Sequence, residues 1–146
     1  MKSKIITALL LTALLLSACA EKKFSAEHYK EMRFATLPAS SVVFLSDNGL
    51  IAASYLDGTI RSLDIKTGKA QLKMPAGNPV ESLSYAENAG ILISADRSGY
   101  LKLWDIKTGN IIKSVKLSDT AAFSCAANPD GALFAAASGG KTADHL

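Results

Sequence analysis

An apolar run from Ile5 to Leu16, interrupted only by Thr7 and Thr12, dominates the start of the chain. Lys2 and Lys4 precede it, and small Ser17 and Ala18 follow it, just before Cys19. A positive segment, a short apolar stretch and a small-residue exit form an export signal, too short and too abruptly ended for a membrane span. From Ala20 to about His28 the pattern turns polar and charged, with Glu21, Lys22, Lys23 and Glu27, as in a tether. His28 reads there as a solvated surface residue.

After a leading strand near Tyr29 to Leu37, β-rich runs alternate with turn clusters. The expected strands are Ser41–Leu45, Leu50–Tyr55, Thr59–Ile65 and Ala70–Met74, then Val80–Ala86, Ile91–Ala95, Tyr100–Ile106 and Ile111–Leu117. Asp47-Asn48-Gly49, Asp57-Gly58 and Lys66-Thr67-Gly68-Lys69 mark the turns of the first group. The second group turns at 87–90, 96–99 and 107–110.

The groups are copies. Gly49, Gly90 and Gly131 are 41 residues apart, as are Gly58, Gly99 and Gly140. Asp64-Ile65-Lys66-Thr67-Gly68 recurs as Asp105-Ile106-Lys107-Thr108-Gly109. The glycines fall at turns, where positive φ is often required. Four strands in about 40 residues is the period of a β-propeller blade. The expected fold is all-β: a partial propeller of about two and a half four-stranded antiparallel blades after an N-terminal signal helix. The expected domains are a signal at 1–18, an acylated cysteine and tether at 19–28, and a partial propeller at 29–146. Its blades span about 41–77, 80–118 and an incomplete 121–146.

Two resemblances sharpen this. Leu16-Ser17-Ala18-Cys19 resembles the lipobox of bacterial lipoprotein signals. The resemblance implies cleavage before Cys19, acylation of that residue and a lipid anchor. Ala20 in the next place implies sorting to the outer membrane, on its periplasmic face, in a Gram-negative host. Ser98-Gly99-Tyr100-Leu101-Lys102-Leu103-Trp104-Asp105 and the turn Asn128-Pro129-Asp130-Gly131 resemble the WD40 family. That family carries a structural tetrad of Asp, His, Ser and Trp. Ser94 and Trp104 match it in the second unit, where Ser98 holds the Asp place. Asp57 matches in the first unit, where Ala53 and Leu63 replace Ser and Trp. No Gly-His pair occurs, so the tetrad is incomplete and apolar packing is expected to do more. The Asp-Ile-Lys-Thr-Gly element also resembles quinoprotein-type propeller repeats, a family that includes a lipoprotein of outer-membrane-protein assembly.

Charge and chemistry add exclusions. A formal net charge of +3, without a basic run, argues against nucleic acid as a partner. With Cys19 acylated, Cys125 has no disulfide mate. Cys125 aligns with Val43 and Ser84 and reads as a small core residue rather than a nucleophile. His28 and His145 stand far from any Ser–His–Asp arrangement. No cluster has zinc spacing. Asp47, Asp57, Asp64, Asp96 and Asp105 read as turn-forming groups rather than calcium ligands. Trp104 reads as packing. Arg61 with Lys102, and Lys66 with Lys107, are register partners, giving either a modest basic stripe or a solvated strand face. No cofactor and no catalysis are expected.

The repeat departs from pattern after Gly140, with His145 in the register of Trp104. A partial propeller exposes edge strands and apolar blade faces. The chain is therefore expected to be the N-terminal part of a longer propeller, a stack closed by self-association or a partner, or a small open sheet protein. The functional expectation is a membrane-anchored, non-catalytic platform for protein partners in the cell envelope. The alternative is a fragment of a quinoprotein-like propeller, either an envelope assembly factor or a ligand-binding or enzymatic propeller whose site lies in further blades.

Overall fold

The computed structural model describes residues 38–45 and 49–139. The signal, Cys19, the tether, the leading strand, Asp47, Gly140 and the segment to Leu146 lie outside the described residues. Among the described residues are ten strands and no helix. The first sheet holds β1 (Ala39–Leu45), β2 (Leu50–Tyr55), β3 (Thr59–Asp64) and β4 (Ala70–Pro75). The second holds β5 (Val80–Ala86), β6 (Ile91–Asp96), β7 (Tyr100–Asp105) and β8 (Ile111–Lys116). A hairpin of β9 (Ala122–Ala127) and β10 (Phe134–Ser138) forms a third sheet. Each strand pairs antiparallel with its successor inside its sheet.

The order of burial identifies the wedge geometry of propeller blades. β1, β5 and β9 lie beside one another across successive sheets. The middle strands β2, β3, β6 and β7 are largely buried, whereas β4 and β8 are mostly exposed. The first strands are thus innermost and the fourth outermost. Irregularities recur at fixed places: Ala39/Ser41 matches Val80/Ser82, and Ser62/Leu63 matches Leu103/Trp104.

Apolar seams hold neighbouring sheets together. Leu45, Ala52, Ile60 and Met74 of the first sheet meet Val80, Leu83, Leu92 and Trp104 of the second. Ile93, Ala95, Leu101 and Leu103 then meet Ala122 and Cys125 of the hairpin. Each large apolar side chain removed from water contributes roughly 1.5–3 kcal/mol. The other face of the first sheet carries buried Ile51, Ala53, Tyr55 and Leu63, while Val42 and Phe44 on its inner strand remain 62% and 73% exposed.

The repeat register corrects one expectation. The irregularity at Val80/Ser82 recurs opposite Ala122/Ser124, a displacement of 42 residues rather than 41. Cys125 therefore occupies the place of Val42 and Leu83, not that of Val43 and Ser84. The backbone bonds Ala76 N–H to Gly58 and Leu117 N–H to Gly99 still keep the 41-residue spacing. The extra residue thus lies in the connection after Leu117, where a loop absorbs it without breaking a ladder.

Candidate protein-interaction face

The connections of each sheet emerge at two ends. At one end, the turn after β3 is set by Asp64. Its Oδ1 accepts the Lys66 and Thr67 N–H groups, each at 2.8 Å. Asp105 repeats this after β7, accepting Lys107 N–H at 2.8 Å and Thr108 N–H at 3.3 Å. A short carboxylate that captures the next backbone amides is how Asp specifies a turn. The Thr67 backbone amide does most to hold the Asp64 carboxyl below its ordinary pKa, and the Lys107 amide does so for Asp105. Ile65 N–H bonds the Gly49 carbonyl at 2.8 Å, and Ile106 N–H bonds Gly90 at 3.3 Å, fastening neighbouring turns together. Lys66, Thr67, Lys107 and Thr108 are consequently displayed to solvent on fixed backbone.

A groove of about 670 Å³ opens between the first and second sheets. Leu72, Tyr85, Glu87, Asn88 and Lys107 are among the side chains that line it. It combines an apolar floor with an acid, an amide, a phenol and an ammonium, the mixture that suits a peptide or loop of another protein. Burial, with help from the Glu87 carboxylate, pushes the Tyr85 phenol up.

The opposite end is organised by acid–base pairing. Asp57 accepts the Thr59 N–H at 3.0 Å and the Thr59 hydroxyl at 2.6 Å, and binds Arg61 at 2.9 Å. The Thr59 hydroxyl is the main cause of its lowered pKa. Arg61 also lies 4.6 Å from the centre of the Tyr55 ring, close enough for a cation–π contact. Arg97 pairs with Glu81.

The second sheet brings an arrangement that repeat alignment missed. Asp96 is fully buried and accepts the Ser98 and Tyr100 N–H groups at 2.9 and 3.0 Å. Its other oxygen meets Lys102 Nζ at 3.1 Å, and Lys102 also donates to the Ala76 carbonyl. Asp96 thus supplies the carboxylate that Ser98, in the tetrad's Asp place, lacks. Lys102 is 9% exposed, so it belongs neither to a basic stripe nor to a solvated face. The paired alternation Asp96…Lys102 was the available signal, hidden because Asp96 aligns with Tyr55.

Ser94 and Trp104 come together, the indole N–H donating to Ser94 Oγ at 2.9 Å inside the core. Gly49, Gly58, Gly90, Gly99 and Gly131 all stand at positive φ, at the turns. Cys125 is buried against Ser82, and desolvation pushes its thiol up. No group of three or more metal-ligating side chains occurs among the described residues.

Comparison with known proteins agrees with this geometry. No family model matches the sequence. The chain is 30% identical over 115 residues to WD repeat and SOCS box-containing protein 1 of Xenopus tropicalis, covering 77% of this chain and 27% of that protein. It is 38% identical over 71 residues to the U3 small nucleolar RNA-associated protein 15 homolog of Xenopus laevis, covering 48% of this chain and 14% of that protein. The β-propeller domain of Myceliophteria thermophila Cps50 (Swd1) superposes with a TM-score of 0.63 at 24% identity, over 69% of this chain and 33% of that chain. The RRP9 WD40 repeats give 0.61 at 17%, over 66% and 31%. The fold is that of a β-propeller, and its blades are WD40-type repeats. The chain spans about a quarter of the length of the curated relative it matches over 115 residues.

Proposed function

We propose that this chain is a non-catalytic WD40-type platform that holds protein partners, fastened to a membrane of the cell envelope through acylated Cys19. The observation that carries the platform reading is the rigid loop end. Two aspartate-locked turns present Lys66 and Lys107 to solvent, and Lys107 lines a groove of about 670 Å³. Rigid display limits the ordering cost a partner meets on binding. The WD-repeat relatives favour this reading over the quinoprotein alternative. The anchor rests on the sequence Leu16-Ser17-Ala18-Cys19. Two or three acyl chains, at about 0.8 kcal/mol per buried CH₂, hold a protein durably on a bilayer without a span.

A photo-cross-linking residue at Asn88 or Lys107 tests the platform in envelopes of the native host. Discrete protein adducts at these positions, absent at Lys113 on outer strand β8, are the expected result. Equal or no adducts at all three would overturn it. Labelled palmitate tests the anchor: incorporation should vanish in Cys19→Ala, and incorporation that persists would disprove Cys19 as the site.

A further inference from the structure

Charge is sorted by strand position in both complete sheets. Residues 39–64 and 80–105, which form the three inner strands of each sheet, hold seven acidic residues and three basic ones. Residues 65–79 and 106–120, which form the outermost strands and their connections, hold six lysines and one acid, Asp119. The inner bases are paired: Arg61 with Asp57 at 2.9 Å, Arg97 with Glu81, and Lys102 with Asp96 at 3.1 Å. The six outer lysines are exposed. Lys66 and Lys107 lie close enough to the turn carboxylates of Asp64 and Asp105 to lower their pKa values. That leaves Lys69, Lys73, Lys113 and Lys116 along the outer edge. Among the described residues, Lys116 alone of these four has an acidic partner, Asp119 at 3.9 Å. So loose a surface pair contributes little, and the edge carries one sign of charge.

Apolar side chains stand among these lysines. Ile111 and Ile112 begin β8 and are 47% and 55% exposed. Lysine on an edge strand also deters pairing with another sheet, but that role asks for no exposed isoleucine pair. Neither these isoleucines nor the four lysines line the groove at the loop end. Lysines interleaved with exposed isoleucines match a partner whose negative surface covers an apolar layer. A lipid bilayer has that layering, with anionic headgroups over acyl chains.

We propose that the outer edge of the two sheets docks on a bilayer containing anionic lipid. Lys69, Lys73, Lys113 and Lys116 meet the headgroups, and Ile111 and Ile112 enter the boundary with the acyl chains. Each lysine near such a surface raises affinity about fivefold. The contact depends neither on acylated Cys19 nor on the groove, so it stands apart from the platform role.

The test uses the full chain with Cys19→Ser and Cys125→Ser, which removes acylation and the native thiols. An environment-sensitive fluorophore is attached at Ile112→Cys, or at Phe44→Cys on the innermost strand as control. Phe44 is 73% exposed, so both sites accept the label without opening a core. Vesicles of phosphatidylcholine are added, with or without phosphatidylglycerol. The apolar run Ile5–Leu16 is common to both labelled proteins, so the difference between sites reports which edge meets lipid. The expected result is a blue shift at Ile112 with phosphatidylglycerol vesicles, little shift at Phe44, and loss of the Ile112 shift at high salt. In the variant carrying Lys69→Gln, Lys73→Gln and Lys113→Gln, the lipid concentration for half the shift should rise about a hundredfold. Equal shifts at the two sites, no shift at Ile112, or a triple variant that binds like the parent would overturn the proposal. A shift at Ile112 caused by polyglutamate but not by vesicles would also overturn it, and would assign the edge to an acidic protein.

Discussion

Lys102 Nζ sits 3.1 Å from Asp96 Oδ2, and both residues are buried. This pair ties the turn after β6 to the connection that enters the second sheet, because Lys102 also reaches the Ala76 carbonyl. A buried ion pair can be matched by apolar residues, but one of its charges left alone is costly. Lys102→Met should therefore lower stability by about 3–5 kcal/mol. Adding Asp96→Asn should recover part of that loss, because the uncompensated charge is gone. Urea unfolding of the single and double variants checks both. A Lys102→Met protein as stable as the parent would show the pair to be energetically idle.

Trp104 is the single tryptophan of the chain, and its N–H is satisfied by Ser94. Ser94→Ala should cost about 1–3 kcal/mol, the penalty of a buried donor without an acceptor. Trp104→Ala should cost about 3–5 kcal/mol through the cavity it leaves. The intrinsic fluorescence of Trp104 should shift on Ser94→Ala, because the indole loses its polar partner. An unchanged spectrum and unfolding midpoint would contradict this account.

Gly99 and Gly90 should respond differently to the same substitution. At Gly99 a Cβ would stand 2.1 Å from the Ser118 carbonyl oxygen and 2.4 Å from that of Thr120. At Gly90 it would meet nothing within 4 Å, leaving only the strain of φ +65°. Gly90→Ala should cost about 1–2 kcal/mol. Gly99→Ala should cost clearly more, since backbone must move. Thermal unfolding of both proteins tests the order, and equal shifts would refute it.

Acid should weaken the fold through its turn carboxylates. Asp57, Asp64 and Asp105 have folded pKa values below the ordinary 3.8. Their contribution is complete above that unfolded value. It is lost as pH falls through the lowered folded values, because the unfolded chain binds protons first. Denaturant midpoints should thus decline below about pH 4. The decline should be shallower in a triple Asp→Asn variant at these positions, and an identical slope would sink the assignment.

Much of the architecture could be read from the chain. The turn pairs Asp57-Gly58 and Lys66-Thr67-Gly68, with β-rich runs between them, located the strands within a residue or two: β3 ends at Asp64 rather than Ile65, and β6 at Asp96 rather than Ala95. Local chemistry suffices there, because glycine conformations and Asp-to-backbone bonds act over a few residues. The Ser94–Trp104 relation was also legible, through resemblance. The buried role of Lys102 was not. A lysine between Leu101 and Leu103 reads as the outward member of an alternating strand. Only its neighbours across the seam make that face an interior one. The groove was equally invisible, since Leu72 and Asn88 share no local pattern.

The sequence by itself determined the blade: its period, its four strands and the turns that hold Asp64 and Asp105 in place. These follow from alternation and turn chemistry, which are encoded within each repeat. The tertiary structure alone decided which faces became seams and which charges were buried. It also decided that Cys125 takes the register of Leu83. Those outcomes depend on how one sheet docks on the next, where a one-residue displacement in a strand changes the face on which every side chain lies.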